Sequence, residues 1–182
     1  RVFPWTFNVP TTYWSQASAF IKYVSREVGG WDKLQGVKIA HVYHNSAYGK
    51  EANPTLVALS KRYGYKLTLL AVDHPGQEQK ATWLQIRRLK PDWIFMAGWG
   101  VMNSVAIKEA AAINYPMDHF VGNWWSGTDA DVIPAGKGSI GYKSTAFHDA
   151  GAGYQVHKDI IKYVYGGDEA KAKENNIGEV LY

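Results

Sequence analysis

Short apolar runs alternate along the chain with longer segments in which apolar residues recur every three or four positions. The short runs are typical of buried strands, and the longer spacing is typical of amphipathic helices. Strands are predicted at 2–7, 37–43, 65–72, 93–97, 120–121 and 140–147, with a further strand beginning in 177–182. Helices are predicted at 11–28, 49–63, 78–89, 101–113 and 154–165, with a short turn or helix at 129–133 and a polar surface excursion at 166–176.

Two helices illustrate the pattern. In the helix 11–28, the apolar stripe is formed by Phe20, Ile21, Val24 and Val28, and Gly29-Gly30 ends the helix. In the helix 154–165, the predicted inward stripe consists of Val156, Ile160, Ile161 and Val164.

Strands that alternate with helices predict an α/β fold, because right-handed crossovers then form a parallel sheet covered on both faces. The expected architecture is a Rossmann-like three-layer sandwich with a mainly parallel central sheet. No linker-like stretch divides the chain, so residues 1–182 are predicted to form a single α/β lobe.

Three of the strands run into loops rich in glycine, asparagine or aromatic residues. These loops are 44–49, 98–100 and 122–127. The carboxyl ends of parallel strands meet at one edge of the sheet, where α/β folds bind ligands. The loops therefore predict a small-molecule pocket with five candidate residues, Tyr48, Trp99, Asn123, Trp124 and Trp125.

Each candidate also has a structural interpretation. Tyr48 either faces a ligand or packs within its loop, and Trp99 has the same two alternatives. Only one of the adjacent pair Trp124 and Trp125 is expected to face the cleft, with the other packed beneath it. Asn123 either donates a hydrogen bond or holds a left-handed turn conformation.

Composition narrows the function classes. The 182 residues include 8 Trp and 12 Tyr but no Cys, which excludes disulfides and thiolate metal sites. The net charge is +4, and the basic residues are scattered along the chain. Their densest stretch, 80–90, is predicted to be a solvated helix face rather than a nucleic-acid-binding surface. The sequence contains no stretch of 18 apolar residues, the length needed to span a membrane. We expect no nucleic-acid partner, no membrane insertion and no cofactor.

A dinucleotide site is disfavoured by the residues around Gly98-Trp99-Gly100. Asn103 occupies the position of the third glycine, and Asp118, the only acidic candidate downstream, precedes a strand instead of ending one. The segment is instead predicted to be a strand-to-helix turn, either structural or displaying Trp99 to a ligand.

The histidines do not form an evident catalytic or metal site. His41 and His44 are three apart in a predicted strand and should point to opposite faces, while His74, His119 and His157 are isolated in sequence. The pair His148-Asp149 could serve in catalysis, in ligand contact or as plain loop, and no nucleophile elbow accompanies it. His148 is kept as a ligand-binding candidate, and the chain is predicted not to be an enzyme.

Four segments resemble a known family. In chain order, the segments "RVFPWTFN", "VKIAHVYHNSAYGKE", "LKPDWIFMAGWG" and "GEVLY" are similar to segments of the type I periplasmic solute-binding proteins of ABC transporters, in the branched-chain amino acid (Leu/Ile/Val) group. The resemblance covers essentially the whole chain and implies one lobe of a two-lobe fold. The chain resembles the second lobe, with 1–8 and 177–182 near the hinge crossings to a missing first lobe, and Tyr48 and Trp99 facing the cleft.

The resemblance also implies a function. It predicts the periplasmic solute-binding component of an ABC importer, or a lipid-anchored extracytoplasmic one, that presents its solute to a membrane permease. Amino-acid binders of this group place an acidic residue after the strand that here precedes 122–125, and this stretch has no carboxylate, although Asp129 or Asp149 could supply one. An aromatic or branched carboxylate is therefore favoured over an amino acid, with its anion held by the first lobe or by a helix N-terminus.

Three alternatives remain open at this point. The same fold could act as the ligand-sensing domain of a receptor or of a transcription regulator. An α/β enzyme could use His148-Asp149. An isolated lobe could also dimerise through its exposed aromatic cleft.

Overall fold

A computed structural model describes residues 11–147 and 153–175, and these residues form a three-layer α/β sandwich. The strands are β1 (Lys38–His44), β2 (Lys66–Val72), β3 (Trp93–Ala97), β4 (Phe120–Gly122) and β5 (Lys143–Ser144). They form a five-stranded sheet in the order β2-β1-β3-β4-β5, and every neighbouring pair is parallel. The predicted fold class is confirmed.

Eight α-helices are described. They are α1 (Tyr13–Glu27), α2 (Ala47–Lys50), α3 (Asn53–Tyr63), α4 (Lys80–Leu89), α5 (Val101–Ala112), α6 (Asp129–Val132), α7 (Gln155–Tyr163) and α8 (Glu169–Glu174). Short 3-10 helices span Trp31–Leu34, Met117–His119 and Ile133–Ser139.

The two faces of the sheet bury separate apolar clusters, because neighbouring residues of a strand point to opposite faces. On one face, Ile39 and Phe95 pack with residues of α1 and α3, including Phe20 and Leu56. On the other face, residues such as Val42 and Met96 pack with α4 and α5. All five residues of β3 are buried, as expected for a central strand covered on both sides.

The strand order creates a switch point between β1 and β3. From β1 the chain crosses to β2 on one side, and from β2 it returns to β3 on the other side of β1. The connections leaving β1 and β3 therefore diverge, which opens a crevice at the carboxyl edge of the sheet where ligands bind in such folds. Tyr48 follows β1 and Trp99 follows β3, so both lie beside this crevice.

Two predicted boundaries are wrong in an informative way. The helix expected at 49–63 is broken into α2 and α3, because Ser46 caps α2 and Pro54 stands in the first turn of α3, where the helix restarts. The strand expected at 140–147 shrinks to Lys143–Ser144. The 3-10 helix continues to Ser139, and Gly141, with a φ of 99°, then turns the chain before β5.

The C-terminal segments also differ from expectation. The polar excursion 166–176 contains helix α8, capped by the Asp168 side chain, which accepts a hydrogen bond from the backbone N–H of Lys171 at 3.0 Å. Helix α7 buries His157 rather than its apolar stripe, leaving Val164 70% exposed among the described residues. The strands predicted in 2–7 and 177–182 lie outside the described residues.

Candidate functional site

The loops after β1, β3 and β4 meet at the switch point, and hydrogen bonds of the Tyr48 hydroxyl join them. The Tyr48 hydroxyl donates to the carbonyl oxygen of Gly98 at 2.9 Å and accepts a hydrogen bond from Nδ2 of Asn123 at 2.6 Å. One tyrosine therefore ties all three loops together, and its ring position is fixed by partners from β3 and β4.

Asn123 is the buried centre of this arrangement. Its side chain is 1% exposed, and its Oδ1 accepts hydrogen bonds from the backbone N–H of Trp125 at 3.2 Å and from the Ser126 hydroxyl at 3.1 Å. The described residues other than glycine with a positive φ are Lys90 and Asn114, so Asn123 does not hold a left-handed turn. Its contact with Tyr48 makes it a hydrogen-bond donor that positions the site.

Trp99 and Trp125 form an aromatic wall beside Tyr48. Their ring centroids lie 4.8 Å apart, and the Trp99 side chain is 50% exposed. The indole N–H of Trp125 donates to the Tyr13 hydroxyl at 2.5 Å, which attaches the wall to the start of α1. Tyr13 in turn packs its ring against Tyr48 with a centroid distance of 4.9 Å.

Trp124 lies differently from its neighbour. Its ring packs against Phe147 at 4.8 Å and against Trp125 at 4.7 Å. Its backbone N–H donates to the side-chain oxygen of Gln16, a buried residue of α1, at 3.1 Å. Trp125 lines the clefts described next, whereas Trp124 supports it from the side.

The wall of Trp99 and Trp125 separates two open clefts. The first, of about 380 Å³, lies towards β1 and β2 and is lined by Tyr13, His44, Ser46, Tyr48, His74, Trp99 and Trp125. The second, of about 420 Å³, lies towards the N-terminus of α5 and is lined by Trp99, Gly100, Val101, Asn103, Ser104, Trp125, Thr128, Ala130 and Asp131. Both volumes are in the range of small-molecule sites.

Asp131 is a buried carboxylate that the sequence reading missed. It lines the second cleft, is 6% exposed and accepts a hydrogen bond from the backbone N–H of Thr128 at 3.0 Å. Burial raises the pKa of Asp131, and hydrogen bonds from Thr128 and Asn103 oppose that shift. Asp129, the carboxylate considered from the sequence, is exposed in the first turn of α6. Asp149 and the candidate His148 lie outside the described residues.

The histidines are less separate than their sequence positions indicate. His74 is isolated in sequence, but its ring centroid lies 5.6 Å from that of His44, at 79° between the ring planes. The two rings approach because β1 and β2 pair with His44 opposite Val72, which brings the loop after β2 beside the end of β1. The two imidazoles share the first cleft.

His41 is a core residue rather than a site residue. It is fully buried, and its Nδ1 lies 3.0 Å from the carbonyl oxygen of Phe95, to which it must donate because a carbonyl only accepts. Burial lowers the pKa of His41 to about 4, although the hydrogen bonds to backbone groups oppose the shift. His41 is therefore neutral at pH 7.

Within 11–147 and 153–175, no cluster of three or more His, Cys, Asp or Glu side chains has the arrangement of a metal site. Nor does that part of the chain contain a helix long and apolar enough to cross a membrane.

Residues 1–169 match the model of the periplasmic binding protein family. The chain also aligns over 98% of its length, at 39% identity and a TM-score of 0.84, with the crystal structure of an ABC transporter permease from the Pseudomonas fluorescens group. The chain belongs to the periplasmic binding protein family, which confirms the resemblance found in the sequence. It spans 43% of that structure's chain. Comparison with curated protein sequences returns no significant match.

Two more distant structures share the fold. A branched-chain amino acid ABC transporter protein from Thermus thermophilus with bound valine is 20% identical, with a TM-score of 0.71 over 93% of this chain and 42% of its own. A solute-binding protein of an ABC transporter from R. palustris in complex with benzoate is 19% identical, with a TM-score of 0.63 over 86% of this chain and 40% of its own. Both confirm the α/β lobe.

Proposed function

We propose that this chain is one lobe of the solute-binding component of an ABC importer, and that it binds a small organic solute at the carboxyl edge of its sheet. The observation that carries the proposal is the aromatic wall of Trp99 and Trp125 beside Tyr48, at the switch point between β1 and β3. Large rings held in place at the mouth of a cleft offer apolar contact area at little cost in side-chain entropy.

Binding requires no covalent chemistry in this account. The solute would lie between this lobe and a second one, and it would favour the closed arrangement by contacting both lobes at once. The chain matches less than half the length of the structures it resembles, which supports a second lobe outside it. Residues 1–182 would form a single lobe, with 1–8 and 177–182 near the hinge.

The favoured solute is an aromatic or branched carboxylate. Trp99 is half exposed, and its indole face suits a flat or apolar solute body. An amino acid is the alternative, because its ammonium would need a counter-charge and Asp131 lines the second cleft. The structural neighbours with bound benzoate and bound valine indicate that this fold accommodates both chemistries.

In the proposed role, the protein acts outside the cytoplasm and delivers its solute to a membrane permease. The family match supports this placement. Dimerisation of an isolated lobe through the aromatic edge stays a prediction, which analytical ultracentrifugation of the 182-residue chain would test.

A thermal-shift screen of the intact two-lobe protein tests the proposal. The panel compares benzoate and 4-methylpentanoate with leucine, isoleucine, valine and phenylalanine. A ligand that binds only the native state raises the melting temperature, because binding adds RT ln(1 + [L]/Kd) to stability. Shifts with the acids support the favoured solute class, and shifts with the amino acids alone support the alternative. If none of the compounds raises the melting temperature, the proposed solute classes are contradicted.

A further inference from the structure

His44 is a buried polar side chain whose hydrogen-bonding capacity is unused. It ends β1, is 9% exposed and lines the cleft towards β1 and β2. Neither of its ring nitrogens has a hydrogen-bond partner among residues 11–147 and 153–175. Buried polar groups are nearly always paired, and leaving one unpaired destabilises the protein. A solute that pairs with His44 would remove that cost.

His74 brings a second imidazole to the same place. It is exposed in the loop after β2, and its ring meets that of His44 edge-on. Nearby, the Asp73 carboxylate accepts a hydrogen bond from Nδ2 of Asn45 at 2.6 Å. Two imidazoles from different strands therefore converge on one cleft, and the adjacent carboxylate has an amide partner.

The remaining lining of this cleft selects the chemistry that would fit. Among the residues that the structure describes, the rest of the lining consists of the Ser46 hydroxyl and four aromatic rings, those of Tyr13, Tyr48, Trp99 and Trp125, and contains no carboxylate. An ammonium would thus find no counter-charge among these residues. A carboxylate has two acceptor oxygens, and each neutral imidazole can supply one N–H donor.

The electrostatic environment of His44 also favours an anionic solute. Burial lowers the pKa of His44, the neighbouring His74 lowers it further, and Asp73 opposes both. The imidazole is thus held in its neutral form while the cleft contains no anion. An anion placed against the His44 ring would favour its protonated form and gain a charge-assisted hydrogen bond.

We propose that His44 and His74 hold the carboxylate of the solute, whose apolar body lies against the rings of Trp99 and Trp125. This inference rests on the proposed function and deepens it. It assigns the anion to this lobe, to two residues that the sequence reading left without a binding role. It also assigns the solute to the cleft towards β1 and β2 rather than to the cleft that contains Asp131.

Titration calorimetry with benzoate and its neutral isostere benzamide tests the assignment on the intact two-lobe protein. His44→Phe and His74→Phe are each expected to weaken benzoate binding about tenfold or more, because each replaces a ring N–H donor to the carboxylate with an apolar ring. Benzamide binding should change less than about threefold in either variant. His74 is exposed, so its substitution keeps the test valid if the His44 variant is less stable.

His119→Phe is the matched control. His119 directly precedes β4, at the opposite edge of the sheet. Its imidazole stacks on Trp93 at a ring distance of 4.1 Å and lies within 2.8 Å of the carbonyl oxygen of Asp92. This variant should bind benzoate like the wild type.

The outcomes separate the inference from the proposed function. Unchanged benzoate affinity in both histidine variants, with weaker binding in Trp99→Ala, overturns the inference and retains the function. If the wild-type protein binds leucine or benzamide at least as tightly as benzoate, the inference is likewise overturned and the proposed function is retained. If none of these compounds binds the wild-type protein, the inference and the proposed solute classes both fail.

Discussion

The side-chain amide of Asn123 donates a hydrogen bond to the Tyr48 hydroxyl across 2.6 Å, joining two loops that are 75 residues apart in the chain. Because Tyr48 also donates to Gly98, this contact completes a link between the ends of β1, β3 and β4. The aromatic edge is thus held by a buried polar network rather than by ring packing alone.

The first prediction concerns that network. Asn123→Ala should lower the free energy of unfolding by about 2–3 kcal/mol, because it removes the buried oxygen that accepts from the Trp125 N–H and from the Ser126 hydroxyl. Tyr48→Phe should cost about 1 kcal/mol. Urea unfolding of both variants and of the double variant measures their coupling.

The expected coupling between Asn123 and Tyr48 is about 1 kcal/mol, since the double variant loses the shared hydrogen bond only once. Asn45→Ala provides the control, because Asn45 is an exposed asparagine in the loop after β1 whose side-chain hydrogen bond goes to Asp73, outside this network. Strict additivity of the Asn123 and Tyr48 effects would show that the two side chains do not support each other.

A second prediction concerns the aromatic wall. Trp99→Ala should weaken binding of the solute by about 1–3 kcal/mol, the usual cost of truncating a central binding residue. Its effect on the free energy of unfolding should stay small, since the side chain is 50% exposed. Calorimetric titration with benzoate and leucine, together with urea unfolding, measures both quantities.

Trp14→Ala is the matched control for Trp99. Trp14 lies on α1 and is 56% exposed, a similar fraction, but it lines neither cleft. It should leave affinity unchanged. Equal affinities for the wild type, Trp99→Ala and Trp14→Ala would remove Trp99 from the site.

A third prediction concerns pH. His41 has a folded-state pKa of about 4, below its ordinary value of 6.5, so the unfolded chain binds its proton more readily. Its stabilising effect is complete above pH 6.5 and is lost as the pH falls towards 4. The free energy of unfolding should fall by about 3 kcal/mol, because the pKa of His41 falls from 6.5 to about 4 on folding.

His41→Gln isolates this effect, because glutamine can still donate to the Phe95 carbonyl but does not titrate. Urea unfolding between pH 7 and pH 4 should show a shallower loss of stability in the variant. Parallel pH profiles for the two proteins would mean that His41 titrates normally.

A fourth prediction tests the close approach at Gly49. A Cβ there would lie 2.9 Å from the backbone nitrogen of His44 and closer still to its carbonyl oxygen. Gly49→Ala should therefore displace α2 and lower the free energy of unfolding by about 2–4 kcal/mol. Gly153→Ala, with nothing within 4 Å of the added atom, should be nearly neutral. Similar melting temperatures for the two variants would contradict this packing.

Much of the fold follows from local pattern. The strand predicted at 93–97 coincides with β3, because five consecutive buried residues between Asp92 and Gly98 permit little else. By contrast, the strand expected at 140–147 is limited to β5. Its apolar residues Ile140 and Phe147 are 75% and 41% exposed, and turn geometry at Gly141 outweighs strand propensity at a sheet edge.

The site was predictable only where strand topology places residues. Tyr48, Trp99 and Trp125 follow parallel strands, so their meeting at one edge could be expected from the sequence. The approach of His44 to His74 depends on the register of β1 against β2, and Tyr13 reaches Trp125 through the packing angle of α1. No local spacing in the sequence encodes either relationship.

A crystal structure of the intact protein with the panel compound that raises the melting temperature most tests the central claim directly. The account predicts that the solute lies at the carboxyl edge of the sheet, in contact with the rings of Trp99 and Trp125. A solute found away from this edge, for example in the cavity lined by Arg87, Tyr115 and His119, would contradict it.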